Sequence, residues 1–331
     1  DEQYIAKTAE NFRISGTSVK RYINDCIADG IITPCGERAA GYRLAAKECE
    51  FTYETAEGLQ EDKIYYTDIQ PLLREVSPEA ERIWGYTFME LMNNAIEHSG
   101  AKKIFCHVKQ DCLYTEIAII DDGIGIFKKI RDFFAEEQGQ DVDYHDVILE
   151  LHKGKFTTSP AGHSGEGIFF SSKMLRELVI WSDAAVYTAG CMDRESLIQS
   201  HLIAYFTKIN SIGTMLIMKL ENQTTRKPKE VFDMYAPIEK GFIKTNIPLK
   251  EVCPYGEPIA RSQARRVVYR LEEFRQVELD FSGIEFMGQG FADEVFRVFQ
   301  NKYPEVELIP LHANEEVLGM IKHVRAALTA E

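Results

Sequence analysis

FMELMNNAIEHS (88–99), IIDDGIGI (119–126) and KFTTSPAGHSGEGI (155–168) decide how the middle of this chain is read. In and just ahead of the first, Ile83, Leu91 and Ala95 recur at helical spacing. Glu90, Asn94 and Glu97 or His98 stand at i, i+4 and i+7 or i+8, so they share one helical face. The Asn94 amide oxygen suits Mg²⁺, a hard cation that keeps several waters. Glu90 suits a base that takes a proton from water. A solvated helix surface is the plainer reading of that face alone.

The second segment ends a strand expected over 113–120 with Asp121-Asp122-Gly123-Ile124-Gly125. A carboxylate at a strand end can accept a hydrogen bond from an adenine amino group. Gly123 and Gly125 let the backbone pass close to a base, although Asp-Gly is also a common turn former. The third segment runs Gly162-His163-Ser164-Gly165-Glu166-Gly167 into a helix expected over 168–178. Glycine amides leading into a helix N-terminus attract anions. GxxxxGK[ST] does not occur, and no strand leads directly into this glycine cluster, so neither a P-loop nor a dinucleotide fingerprint fits.

In this order the three segments resemble the N, G1 and G2 boxes of the GHKL ATPases, the superfamily of gyrase, a class of heat-shock chaperones, the histidine kinases and the MutL proteins. The resemblance covers roughly 80–220. It implies a Bergerat-type α/β sandwich that holds ATP under a mobile lid, here 126–159. By position Asn94 resembles the Mg²⁺ ligand and Asp121 the adenine-binding aspartate. Gly123 and Gly125 resemble the base pocket, and Gly162, Gly165 and Gly167, with His163, Ser164 and Glu166 between them, the phosphate-binding end of the lid. Thr214 resembles the threonine near the base. Lys155 is expected either to reach a phosphate or to be a solvated loop lysine. The resemblance further implies slow hydrolysis with Glu90 activating water, and lid closure coupled to an ATP-dependent homodimer. A serine kinase of the anti-sigma type and a nucleotide-gated scaffold without turnover stay open beside it.

The flanks read differently. Residues 1–47 form a winged-helix pattern: a short helix over 5–12, a second over 19–29 capped by Thr17 or Ser18, and a hairpin from Ile31-Ile32 to 41–44. In a winged helix-turn-helix domain the second helix enters a major groove, which would turn Thr17, Ser18, Lys20, Arg21 and Asn24 toward DNA. A protein-contact role is the alternative. The seven basic and six acidic residues of 1–47 leave that segment at +1 while the whole chain carries -14, so any DNA contact is local.

Residues 238–331 alternate helix and strand: a helix over 262–274, a strand over 276–281, a helix over 288–303, a strand over 306–310 and a helix over 314–327. LDFSGIEFMGQGFADEVF (279–296) resembles the STAS fold of anti-sigma antagonists, and implies a domain that contacts a protein partner. Where those antagonists carry a phosphorylated serine, this sequence has Gly288-Gln289-Gly290; Ser282 lies earlier, at the strand end.

The expected architecture is therefore α/β in three units: a winged helix at 1–47, a GHKL domain with lid at 48–237, and a STAS-like α/β domain at 238–331, with 221–237 as a linker. Seven cysteines without a CxxC pair point away from disulfides and zinc and toward a reducing cytoplasm. No apolar run reaches the roughly 20 residues that span a bilayer, so no membrane contact is expected.

Overall fold

A computed structural model describes residues 2–35, 41–55, 58–139, 141–156, 165–190, 212–253 and 257–326. At the N-terminal end, helices α1 (Glu2–Phe12) and α2 (Gly16–Ala28) precede an antiparallel hairpin of β1 (Ile32–Cys35) and β2 (Gly41–Leu44). The cap of α2 is Ser15, not Thr17 or Ser18. Its Oγ accepts the Ser18 N–H at 3.1 Å, the bond that an N-cap hydroxyl makes to N3. Gly30, at φ 70, ends the turn after α2.

Strand β3 (Lys47–Glu54) then enters a six-stranded sheet with β4 (Lys103–Gln110), β5 (Tyr114–Asp121), β6 (Glu177–Ser182), β7 (Ala185–Ala189) and β8 (Thr214–Glu221). The order is β3-β4-β5-β8-β6-β7, and every neighbouring pair is antiparallel. Central β5 is buried on both sides: Ile117 and Ile119 join the main core, Ala118 and Ile120 a second cluster with Phe105, Val179, Met215 and Ile217. A strand apolar on both faces reads as an unbroken hydrophobic run, which is how IAII stands in the sequence.

In the middle unit the main core also takes in residues of α3 (Glu61–Ile64), α4 (Pro78–Asn93), α5 (Ile126–Gln138), α6 (Tyr144–Lys153) and α7 (Gly167–Met174). Two of them carry a clear local start signal. Ser77 caps α4 ahead of Pro78, and Asp143 with Asp146 forms a capping box on α6. The helix expected over 168–178 is shorter. It stops at Met174 because Arg226 donates to the carbonyls of Lys173, Met174 and Leu175 at 3.1, 2.8 and 2.7 Å. Glu177 and Leu178, the end of that expected helix, instead open β6, where the β-branched and aromatic side chains of Val179, Ile180 and Trp181 suit a pleated, buried surface.

The segment expected as a linker carries Arg226 and a helix, α8 (Pro228–Tyr235), whose Phe232 packs on Tyr86 and Phe170. Beyond it lies a parallel three-stranded sheet of order β11-β10-β9, built from β9 (Lys244–Pro248), β10 (Gln276–Asp280) and β11 (Glu307–Leu311). Its helices include α9 (Leu249–Val252), α10 (Arg261–Val268), α11 (Gln289–Asp293), α12 (Gln300–Lys302) and α13 (Glu315–Ala326). The expected helix over 262–274 breaks after Val268: Arg270 sits in the left-handed region at φ 60, and Leu271–Glu273 is one 3-10 turn. One continuous core runs from Ile64 to Val324 and crosses position 237 without interruption. Among the described residues no helix is long and apolar enough to cross a membrane.

Candidate functional site

At its C-terminal end α4 passes into a π-helical turn, Asn94–His98. Such a turn widens the helix locally, and π turns recur at functional sites. Here it brings Asn94, Ala95 and His98, with Ser99 after it, to the wall of a cavity of about 310 Å³. Glu90 lies on the same wall. Glu97, the alternative to His98 in the sequence pattern, accepts from Asn93 Nδ2 at 3.4 Å and does not line the cavity. Gly167, at the start of α7, backs onto Glu90: a Cβ there would run into the Glu90 carboxylate.

The opposite wall is the seam between β5 and β8. Asp121 and Thr214 are partners across the ladder, one ending β5 and the other opening β8. Asp121 is 3% exposed, yet its Oδ1 accepts the Gly123 N–H at 2.9 Å. Its backbone carbonyl accepts the Gly213 N–H at 2.8 Å, and Thr214 Oγ1 accepts the Ile126 N–H at 3.0 Å. Burial pushes the Asp121 carboxyl up to about 6; the Gly123 N–H and then the Thr214 backbone and hydroxyl pull against that rise, and Asp122 adds a little to it. A buried acceptor with this geometry is costly to leave without donors, so it is chemically suited to a ligand N–H.

Glycine is required at three positions of this seam, one of them Gly213, where a Cβ would run into the Gly123 backbone. Gly123 packs on the Ser99 carbonyl and the Asp121 carboxylate, where a Cβ has no room. Gly125, at φ 87, faces Ser182 Oγ and Asp183 Oδ2, which a Cβ would meet at 2.7 and 2.9 Å. The backbone at this corner is therefore flush with its neighbours, and Gly125 and Thr214 both line the cavity.

The remaining wall comes from α5 (Ile126, Lys129, Ile130), α6 and the segment after it (Leu151, Phe156), the first turn of α7 with the bend before it (Ile168, Gly165) and Leu216 of β8. Among these Lys129 escaped the sequence reading. Its Nζ donates to the His98 carbonyl at 2.7 Å, and burial lowers its pKa. The signal was present, because Ile126, Lys129 and Ile130 fall at i, i+3 and i+4 on one face of α5.

Glu166 stands at the N-cap position of α7, makes no side-chain capping bond there and does not line the cavity; burial raises its carboxyl, Lys155 opposes that, and Glu90 adds to it. Lys155 points elsewhere: its Nζ donates to the Glu273 carbonyl at 2.7 Å and lies 4.4 Å from the centre of the Phe274 ring. Gly162, His163 and Ser164 lie outside the described residues. On α2, Thr17, Lys20, Arg21 and Asn24 are exposed, while Ser18 is half-buried and engaged with Ser15.

As a donor set the cavity fits a nucleotide and one hard cation. It has one buried carboxylate with a threonine beside it, a glycine corner, an amide oxygen, a second carboxylate and one lysine. Among the described residues no group of three or more His, Cys, Asp or Glu could hold a metal alone. A cation at Asn94 would complete its shell from phosphate oxygens and water, which is how Mg²⁺ is usually held.

A search of curated proteins finds no match to the chain. Residues 263–318 match a family model described as "STAS-like domain of unknown function (DUF4325)", a span that runs from within α10 through β10 and β11 into α13. The chain is thus a mixed α/β protein whose C-terminal unit is a STAS-like domain.

Proposed function

We propose that residues 48–237 form a GHKL-type site for Mg·ATP and that the protein is a nucleotide-dependent regulator. The observation that carries the reading is the convergence of Glu90, Asn94, Asp121, Gly125, Gly165, Gly167 and Thr214, drawn from three separated sequence segments and the start of β8, on a single cavity. Asp121 would accept the adenine amino hydrogen while Thr214 orients its carboxylate. The glycine corner gives the base a flat backbone to lie on. Asn94 would hold Mg²⁺, which offsets phosphate charge when bound. Glu90 would take the proton of the water that attacks the γ-phosphorus, releasing ADP and phosphate.

Residues 1–47 are proposed as a winged helix whose α2 meets DNA. Four of its five candidate residues are exposed, and Arg21 lies over the Tyr22 ring with 5.1 Å to its centre. The STAS-like domain is the proposed contact for a protein partner, and lid closure the step that would favour a homodimer. The setting that suits seven cysteines without a CxxC pair is a reducing cytoplasm.

Calorimetry with ATP, ADP and a non-hydrolysable analogue plus Mg²⁺ tests the site, with γ-labelled ATP run in parallel. Binding with released phosphate is the expected result. Label retained on protein would favour the anti-sigma-type kinase, and binding without either product the scaffold. No binding by well-folded protein would end the reading.

A further inference from the structure

The short segment 150–156 faces two ways. Leu151 and Phe156 line the cavity, whereas Glu150, Lys153 and Lys155 grip the STAS-like domain. Lys153 is 2% exposed. Its ammonium donates to Glu150 Oε1 at 2.7 Å, to the Tyr269 carbonyl at 2.6 Å and to the Arg266 carbonyl at 3.3 Å. Those two carbonyls terminate α10, so a lysine from α6 takes the place that the next helical turn would otherwise fill. Arg270 answers from the other side: its guanidinium reaches Glu150 Oε2 at 3.3 Å and the Lys155 carbonyl at 3.4 Å. Thr245 Oγ1, on β9, donates to the Lys153 carbonyl at 2.9 Å.

From this we infer that the STAS-like domain regulates the cavity directly, acting as a clasp on α6 whose engagement and nucleotide binding change each other's free energy. The inference rests on the nucleotide reading above. The physical ground is the burial of Lys153. A buried ammonium stripped of its acceptors is far more costly than a broken surface pair, so α6 cannot shift gradually against α10. Either the ammonium keeps its three acceptors, or α6 and the turn at 266–270 separate and water enters. A ligand that moves Leu151 or Phe156 pulls on the same two turns of chain. Coupling between two sites is reciprocal: a ligand that favours the engaged clasp is bound more tightly when the clasp is engaged.

The test uses the full chain and two variants outside the cavity lining. Lys153→Met keeps the apolar stem; Arg270→Gln changes a half-buried residue and leaves Lys153 in place. ATP affinity is measured by calorimetry with Mg²⁺, and hydrogen exchange is followed at amides 261–274 with and without ATP. The wild-type protein should bind ATP and change exchange at 261–274. Both effects should be coupled, so that each folded variant shifts the ATP Kd by about fivefold or more and loses most of the ATP-dependent exchange change, the low end of typical allosteric coupling. Should Lys153→Met fail to fold, Arg270→Gln carries the test alone. Wild-type binding with unaltered exchange at 261–274 and variant affinities within about twofold would overturn the clasp while leaving the nucleotide site standing. Absence of wild-type binding would overturn the nucleotide reading itself, and the clasp with it.

Discussion

Asp121→Asn separates what the carboxylate costs the fold from what it offers a ligand. In the folded protein its pKa stands at about 6 rather than 3.8, chiefly through burial. The folded state therefore holds a proton that the unfolded chain has released between those two values. Stability linked to this group is complete below about pH 4 and is lost as pH rises toward 6. Two units at about 1.4 kcal/mol each give a loss of about 3 kcal/mol by neutral pH. Asparagine keeps an oxygen for the Gly123 N–H and has no charge to desolvate. The variant should therefore match wild type near pH 4 and gain on it by up to about 3 kcal/mol at pH 7. Urea unfolding followed by tryptophan fluorescence reads this well, since both tryptophans, Trp84 and Trp181, lie in the middle unit and Trp84 is fully buried. Nucleotide binding should move the opposite way. An amide that presents NH₂ toward an adenine amino group loses an acceptor, worth roughly tenfold or more in Kd at about 1.4 kcal/mol. Wild-type affinity should also fall as pH drops below 6. Parallel stability curves for the two proteins between pH 4 and 7 would refute the burial argument, and unchanged ATP affinity in the variant would refute the assignment of Asp121 to the base.

Other substitutions report on separate parts of the molecule. Glu90→Gln should leave the ATP Kd within about threefold while cutting phosphate release by roughly 100-fold or more, measured in a single-turnover assay; retained turnover would remove Glu90 as the base. Gly123→Ala should destabilise by roughly 1–3 kcal/mol in urea, because its methyl group would meet the Ser99 carbonyl, and should abolish nucleotide binding. Lys173 lies beside the Phe169 and Tyr235 rings, and burial lowers it to about 8 although Glu278 and Asp280 oppose the shift. Its contribution to stability is present above the unfolded value of 10.5 and is lost as pH falls through 8, so wild type should gain stability from pH 8 to 10 in an unfolding titration and Lys173→Met should not. Replacing Lys20 and Arg21 by Ala should lower the salt slope of duplex binding by about two if both touch phosphates; an unchanged slope would favour protein docking.

The sequence carried the local parts of this structure better than the distant ones. Asp121 and Gly123 could be placed because a strand end and a Gly-containing turn are written into adjacent residues. The Asn94–His98 π turn could not, since nothing in NNAIEH distinguishes it from a continuing α-helix; its effect is to bring His98 rather than Glu97 to the cavity. Lys155 and the end of α10 went astray for one reason. Both are settled by contacts across more than 100 positions, Lys155 to the Glu273 carbonyl and Lys153 to the carbonyls of Arg266 and Tyr269. The end of α7 at Met174 was hidden in the same way, because Arg226 sits in what reads as a polar linker.

The glycine at 288 has a steric cause that the sequence alone does not disclose, whereas a Cβ at Gly290 would meet only ordinary contacts. Gly288 donates its N–H to the Pro258 carbonyl at 2.9 Å, and a Cβ there would collide with the Ile259 carbonyl. The segment ahead of α10 thus occupies the space where a side chain at this helix start would lie. Position 288 is closed to any L-residue larger than glycine unless 258–260 moves, so Gly288→Ser should destabilise the STAS-like domain rather than create an acceptor site. Ser282, by contrast, is exposed beside His312 Nδ1 at 3.0 Å, and the same ring nitrogen lies 2.9 Å from Asp280 Oδ1. With Nδ1 shared in this way, the imidazole cannot at once donate to Asp280 and accept the serine proton. Phosphopeptide mapping after incubation with ATP should accordingly find no label at position 282 of the wild-type chain, and none at position 288 of the Gly288→Ser variant. Label at either one would show that this domain accepts phosphoryl groups despite its packing.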